Sequence, residues 1–235
     1  MNALLQLQKE IQSHKDPVRA KSSVWFFKTG KGQYGEGDVF LGLTVPLQRS
    51  VAKKFNTLPL EDLQKMLESK FHEYRFTALE ILVMQFEKAS IAEKKKIFNF
   101  YIKNSVRVNN WDLVDASAPY VTGEFLADKP RIVLYKFAQS GNLWKKRIAI
   151  VSTFAFIKRG EFADTLKIAE LLLSDTHDLL HKAVGWALRE VGKKDEKVLL
   201  KFLRQHYANL PRTTLRYAIE KFSSAQRKNL LQGIF

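Results

Sequence analysis

The 235-residue sequence contains no cysteine, which excludes disulfide bonds and cysteine-ligated zinc sites. It has no apolar run approaching the roughly 20 residues that a membrane-spanning helix needs. Residues 1–15 lack a basic stretch followed by an apolar core, so they do not predict a signal peptide. Long alternating runs of β-branched residues, which would indicate strands, are also missing. These absences predict a soluble, cytoplasmic and largely helical protein.

Acidic residues are scarce relative to basic ones, because 24 Asp and Glu stand against 39 Lys and Arg. The resulting net charge of +15 indicates an anionic partner and says little about the fold. Nucleic-acid phosphates and anionic membrane surfaces are the usual partners of such a surface. A hydrophobic content of 46% argues against extensive disorder. We therefore predict a folded protein, expected to be a monomer, that binds a polyanion.

From about residue 45 onward the apolar residues recur at helical spacing. A weak repeat accompanies them, because Ala149, Ala183 and Ala218 lie 34 and 35 residues apart, each shortly after a basic residue. Earlier copies are centred on Ala78 and Ala116. Small residues at this interval allow pairs of helices to stack closely. The pattern predicts an all-α fold over residues 1–235, a single-domain α-solenoid of HEAT-like helical repeats.

The segment 29–42 holds five of the eleven glycines and contains a G-x-G-x-x-G match from Gly30 to Gly35. A dinucleotide site would need a strand before this motif and a helix after it, within a βαβ unit. Here the segment joins two helical stretches, so a loop is the favoured interpretation. His177 and His181 have the spacing of a zinc-binding helix but lack the neighbouring Glu and a third ligand. The remaining histidines, including His72, stand alone, and we expect neither a metal nor a cofactor.

Two tryptophans lie beside charged residues at helical spacing. Trp111 and Asp115 are one turn apart, which suits either a site or a core ring beside a structural acid. Trp186 lies outside the apolar face of its helix and aligns with Lys182 and Arg189. An aromatic ring between two cations suits nucleic acid, although a ring packed between helices fits as well. Arg147 has apolar helical neighbours and therefore needs a carboxylate or phosphate partner.

Four segments occur in the order FLGLTVPLQR at 40–49, NWDLVDASAP at 110–119, NLWKKRIAI at 142–150 and KAVGWALRE at 182–190. Together they resemble the bacterial AlkD-type DNA glycosylases, which are built from HEAT-like repeats. The motifs W-D-x-V-D and K-A-x-G-W-x-L-R-E are moderately specific, and their joint occurrence is a strong signal. The resemblance implies a curved solenoid whose basic concave face holds duplex DNA. It also implies metal-free hydrolytic release of cationic alkylated purines such as 3-methyladenine and 7-methylguanine.

The same resemblance implies a role for individual residues. Asp115 corresponds to the catalytic carboxylate, and Trp111 and Trp186 correspond to the aromatic walls that face the deoxyribose. Arg147 corresponds to an arginine that grips the DNA backbone. Phe26 stands where a tyrosine is usual, and Thr44 stands where a glutamine is common. Lys182 and Arg189 are further predicted DNA contacts.

The leading interpretation is thus a monofunctional alkylpurine DNA glycosylase, associated with the nucleoid when bound to DNA. One alternative is a non-catalytic HEAT-like-repeat protein that binds branched or damaged DNA, because relatives of this kind have lost activity. Another alternative is a protein-binding solenoid with an acidic partner. Retention of Asp115, Arg147 and both tryptophans favours the enzyme.

Overall fold

A computed structural model describes residues 2–235, and over these residues the chain forms helices joined by short turns. Within this range there is no strand, only an isolated bridge between Val39 and Phe71. None of these helices is long and apolar enough to cross a membrane. The all-α prediction is confirmed, and the architecture is consistent with an α-solenoid-like fold. The contacts group the chain into two compact units, one ending at Val121 and the other running from Thr122 to Phe235.

The first unit is organised around its longest helix, α5, which packs against α1, α3, α4, α6 and α7. The helices of this unit are α1 (Ala3–Ser13), α2 (Pro17–Phe26), α3 (Val45–Lys54), α4 (Leu60–Leu67), α5 (His72–Lys88), α6 (Ile91–Lys103) and α7 (Trp111–Ala118). Helix α5 is buried on nearly every side, including its charged residues His72, Glu73, Arg75 and Glu80. Such charges require partners inside the unit, because burying an unpaired charge is costly.

The glycine-rich segment 29–42 is a loop between α2 and α3, as predicted, and is bound to α5 at its far end. The backbone N–H groups of Leu41 and Gly42 donate to the carboxylate of Glu73 at 2.8–3.0 Å. Gly42 has a φ of +91°, and a Cβ there would lie 2.2 Å from the carbonyl oxygen of Asp16. Glycine is therefore needed at this position both for its conformation and for the close approach of α2.

The second unit is organised around α13, which packs against α10, α11, α12, α14 and α15. The helices are α8 (Glu124–Leu126), α9 (Ile132–Ala138), α10 (Leu143–Ser152), α11 (Phe154–Lys158), α12 (Ala163–Leu172), α13 (Asp178–Lys194), α14 (Glu196–His206), α15 (Arg212–Ala218) and α16 (Ser224–Leu231). The three repeat alanines, Ala149, Ala183 and Ala218, are all buried and lie on α10, α13 and α15. In the first unit Ala78 is buried on α5, whereas Ala116 is only half-buried.

The helix ends differ from the sequence expectation at three places. The helical spacing of Trp144, Ile148, Val151 and Ala155 predicts one apolar helix face over residues 142–157. The helix is instead interrupted at Thr153, whose N–H and hydroxyl both donate to the carbonyl oxygen of Ile150. Asn142 and Asp175 are candidate helix caps in the sequence, because each precedes an apolar stretch. Asn142 does cap α10, whereas α13 is capped by His177. Gly192 in the sequence predicts a turn between two helices, but α13 continues through it to Lys194. A Cβ on Gly192 would lie 2.3 Å from the side chain of Leu199, so the glycine permits the close approach of α14.

Gly185 is the residue at which the stacking of the second unit can be tested. A Cβ there would lie 2.5 Å from the Cβ of Tyr217 and 2.6 Å from the carbonyl oxygen of Thr214. Because backbone atoms cannot yield easily, we expect Gly185→Ala to lower the free energy of unfolding by about 1–3 kcal/mol. Urea denaturation would measure the loss. Gly141→Ala is the matched control, since a Cβ at Gly141 meets nothing within 4 Å. Equal stability of the two variants would contradict the close packing of α13 and α15.

Candidate functional site

The proposed catalytic pair lies on α7, a short helix with a well-anchored start. Asn109 and Asn110 are both candidates in the sequence for the cap of this helix. The structure has Asn110 in that role, its side chain accepting a hydrogen bond from the N–H of Trp111 at 2.8 Å. Leu113 and Val114 are buried, whereas Trp111 and Asp115 are half-buried and one turn apart on the opposite side.

The buried side of α7 is fixed by polar contacts as well as by apolar packing. The hydroxyls of Tyr101 and Ser117 lie 2.9 Å apart, and the Ser117 hydroxyl donates to the carbonyl oxygen of Leu113. Burial raises the pKa of Tyr101, and the negative charge of Asp115 raises it further. Tyr101 therefore remains a neutral phenol beneath the helix, close enough to Asp115 for the charge of that carboxylate to affect its pKa.

An aromatic cluster surrounds Trp111. The ring of Phe27 stacks on the indole with centroids 5.4 Å apart, and Phe26 meets it edge-on at 5.8 Å. Phe40 stacks on the other rings of the cluster, 4.9 Å from Phe27 and 4.7 Å from the imidazole of His72. The structure thus brings Phe26, which the family resemblance counts among the aromatic residues of the site, against Trp111. Phe26 remains 54% exposed, which leaves ring surface for a ligand.

Directly below the aromatic cluster lies a buried ionic network that the sequence analysis missed. The imidazole of His72 is held between two carboxylates, with Nδ1 3.1 Å from Asp38 and Nε2 2.7 Å from Asp112. Arg75 donates to the other oxygen of Asp38 at 2.5 Å, and the amide of Asn110 donates to the same carboxylate at 3.2 Å. Asn110 and Asp112 are the residues immediately before and after Trp111 in the sequence. The network therefore holds the chain on both sides of this tryptophan.

The network favours a charged imidazolium despite its burial. Burial alone lowers the pKa of His72, but the charge of Asp112 and hydrogen bonds to Asp112 and Asp38 outweigh it and raise the pKa to about 9. For Asp38 burial acts in the opposite direction and raises the pKa. The hydrogen bond from His72 and the charges of Arg75 and His72 nevertheless hold the pKa of Asp38 below its usual range. At neutral pH the imidazole of His72 is therefore protonated and the carboxylate of Asp38 is ionised.

No local pattern in the sequence links these residues. Asp38 comes from the glycine-rich loop and His72 is the first residue of α5. Asp112 lies on α7, two helices later in the chain. The usable signal was the run H-E-Y-R at 72–75, because several charges at the start of an otherwise apolar helix must find partners. It indicates burial and pairing but cannot say with which residues.

In the second unit, Arg147 is a buried residue of α10 that is bound to the start of α13. The residue is only 5% exposed, and its Nη1 donates to the carbonyl oxygen of Leu179 at 2.8 Å. The adjacent Lys146 pairs with Asp175 at 2.6 Å. The expected need of Arg147 for an acceptor is met in part by this carbonyl. Its predicted grip on the DNA backbone stays a prediction.

The second tryptophan, Trp186, is half-buried on α13 and packs edge-on against Phe154 with ring centroids 4.4 Å apart. Both cations predicted to flank it have carboxylate partners. Lys182 pairs with Asp178 at 2.7 Å, and Arg189 pairs with Glu220, its side chain being only 16% exposed. A phosphate at either position would have to compete with these carboxylates.

The remaining predicted positions have local structural roles. Thr44 caps α3, its hydroxyl accepting from the N–H of Leu47 at 3.4 Å, and a contact with DNA stays a prediction there. His177 caps α13, and His181 contacts the carbonyl oxygen of Asp175. Over residues 2–235 no group of three or more His, Asp or Glu side chains is arranged to hold a metal ion.

Comparison with known proteins adds the decisive observation. The family model described as DNA alkylation repair enzyme matches residues 7–222. The chain belongs to this family. A solved structure described as "Predicted DNA alkylation repair enzyme from Enterococcus faecalis" is similar over 89% of this chain and 97% of that chain, with a TM-score of 0.71. At 18% identity that likeness shows a common fold. The curated proteins include no significant match. Membership of the DNA alkylation repair family supports a role in DNA repair.

Proposed function

We propose that this protein is a DNA glycosylase that hydrolyses the N-glycosidic bond of cationic alkylated purines in duplex DNA. The observation that carries the proposal is the pair on α7, a carboxylate one turn from an indole whose sequence neighbours are held by a buried ionic network. Membership of a DNA alkylation repair family and the charge of +15 supply the substrate class. The protein acts as a monomer and requires no cofactor in this proposal.

The chemistry matches a carboxylate acting without a partner acid. An N3- or N7-alkylated purine carries a positive charge, so the C1′–N bond breaks with its electron pair going to the base, which departs neutral. Positive charge then develops on the deoxyribose. Asp115 stabilises this charge and accepts a proton from the water that attacks C1′. The products are the free alkylated base and an abasic site. Because the leaving group is already activated, the second carboxylate of a sugar glycosidase is not required.

The other predicted residues would bind and orient the DNA. The faces of Trp111 and Trp186 attract a cationic sugar or base through the ring quadrupole. Phe26 would extend the aromatic surface beside Trp111, with the exposed part of its ring and without a hydroxyl. Arg147 would bind a backbone phosphate, with Thr44, Lys182 and Arg189 as weaker contacts. Their contribution is alignment of the reacting atoms.

The test is release of free base from methylated duplex DNA. We expect the protein to release 3-methyladenine or 7-methylguanine, detected by chromatography, and to leave abasic sites that break only on alkaline treatment. Unmethylated DNA is the control substrate. If methylated DNA yields no free base while branched or abasic DNA is bound tightly, the enzyme assignment is wrong and the non-catalytic alternative replaces it. If affinity for every DNA is weak and insensitive to salt, an acidic protein is the partner.

A further inference from the structure

Helix α2 differs from the other long helices of its unit because none of its residues is buried. Its large apolar side chains are exposed, with Val18 at 79% and Trp25 at 74%. An indole left in water to this extent contributes nothing to the core of the unit. Apolar exposure of this kind on a folded protein indicates a surface that binds something.

The exposed residues form one stripe with basic residues between them. Val18, Lys21, Trp25 and Lys28 follow one another at intervals of three or four residues, which places them on one side of α2 and its C-terminal turn. The ammonium of Lys28 lies 5.0 Å from the centre of the Trp25 ring. Over residues 2–235 neither Lys21 nor Lys28 forms an ion pair. The acid nearest to Lys21 in sequence, Asp16, caps the helix and pairs with Arg19. The acid nearest to Lys28, Glu36, accepts a hydrogen bond from the N–H of Gly32 at 2.8 Å.

Lys28 has a backbone conformation that residues other than glycine rarely adopt. Its φ of +54° is the only positive value for a non-glycine residue over residues 2–235. It follows the C-terminal end of α2, where glycine is the favoured residue because side chains oppose this conformation. The N–H of Gly35 donates to the carbonyl oxygen of Lys28, so the loop stabilises the turn. The strained turn keeps a cation beside Trp25.

We propose that this α2 stripe, made of Val18, Lys21, Trp25 and Lys28, is a DNA-contact surface additional to the proposed catalytic residues. An exposed ring between two unpaired cations can stack on a base or sugar while the lysines neutralise phosphates. The stripe contrasts with Lys182, Trp186 and Arg189 on α13, where both cations already have carboxylate partners. It lies next to the aromatic cluster, because Phe26 follows Trp25 and contacts Trp111. The inference rests on DNA as the partner but not on base release.

The experiment measures binding of unmodified duplex DNA to the whole protein at several salt concentrations. Trp25→Ala is expected to weaken binding by about fivefold to 150-fold, the range for the loss of one stacking contact. Trp25→Phe should restore most of the affinity because it keeps a ring. Lys21→Gln should reduce the slope of log affinity against log salt by about 1. Helical content should not change in any variant, since α2 buries no residue.

Two control variants separate this surface from general effects. Ile132→Ala removes another exposed apolar side chain, and Lys65→Gln removes a cation that is paired with Asp62. Both should bind DNA as the wild type does. Wild-type affinity of Trp25→Ala would overturn the proposal, as would equal losses in the controls. The protein could instead bind anionic phospholipid vesicles and lose that binding in Trp25→Ala, with its DNA affinity unchanged. That result would overturn the proposal and make the stripe a membrane-binding surface. Because the DNA is unmodified, these results do not depend on whether the protein releases bases.

Discussion

Asp115→Asn is expected to lower the rate of base release by a factor of about 10²–10⁴, the usual effect of losing a positioned base. The carboxamide has nearly the same shape as the carboxylate but carries no charge. It can neither stabilise the positive deoxyribose nor accept a proton from water. The rate should be measured under single-turnover conditions with protein in excess, so that slow product release does not hide the chemical step.

Affinity for DNA distinguishes a chemical role of Asp115 from a structural one. Removing a negative charge should leave binding of the duplex unchanged or slightly tighter, because phosphates are repelled less. Asp62→Asn, a change at an exposed pair on α4, is the matched control and should retain the wild-type rate. A wild-type rate in Asp115→Asn would remove this residue from the mechanism. Loss of both rate and thermal stability would instead assign it a structural role.

His72→Leu is expected to lower the free energy of unfolding by about 3–5 kcal/mol, which is the usual cost of breaking a buried ion pair on one side. The variant leaves Asp38 and Asp112 facing each other without the imidazolium between them. Arg75 and Asn110 can compensate only Asp38, since their contacts are with that carboxylate. Urea denaturation measures the loss. His14→Leu, at an exposed position after α1, is the control and should change stability little.

The same network predicts a loss of stability at high pH. The pKa of His72 is raised from its usual value of 6.5 to about 9, so the folded protein holds this proton more tightly than the unfolded chain. The resulting stabilisation is fully present below pH 6.5 and is lost as the pH rises through 9, with a maximum of about 3 kcal/mol. Asp38 does not titrate in this range because its pKa is lowered.

Comparison with a variant isolates this titration from all others. The stability difference between wild type and His72→Gln should be largest near pH 6, should shrink as the pH rises from 6.5 towards 9, and should have levelled off above 9. Lysines and other groups titrate in both proteins, and their effects cancel in the difference. A difference that is constant from pH 6 to pH 10 would show that His72 is neutral in the folded protein.

The parts of the fold that could be predicted are those that depend on local periodicity. The buried alanines on α10, α13 and α15 were found because they recur 34 and 35 residues apart, and a small residue at that interval suits a close helix contact. Trp111 and Asp115 were paired for the same reason, since both lie on α7. The inclusion of Phe26 among the aromatic residues of the site came from the family resemblance, and its ring contacts Trp111 in the structure.

What could not be predicted depends on residues distant in sequence. The partners of His72 lie 34 and 40 positions away, and no spacing rule connects them. The carboxylate partner of Arg189 is Glu220, on the turn after α15, and a periodicity within α13 cannot show it. The α2 stripe was overlooked for a different reason. A sequence indicates that Trp25 is apolar, but only the packing shows that nothing covers it.

The glycine-rich loop consists of two parts with opposite tolerance to change. Its first part, residues 30–33, is exposed, and its hydrogen bonds are short-range. Its second part supplies Asp38 to the buried network and ends on Glu73 and the close contact at Gly42. A fluorescent label or an affinity tag would therefore be accommodated at residues 30–33. The same insertion next to Asp38 would separate its carboxylate from the imidazolium of His72. The length of this loop therefore does not show where an insertion is tolerated.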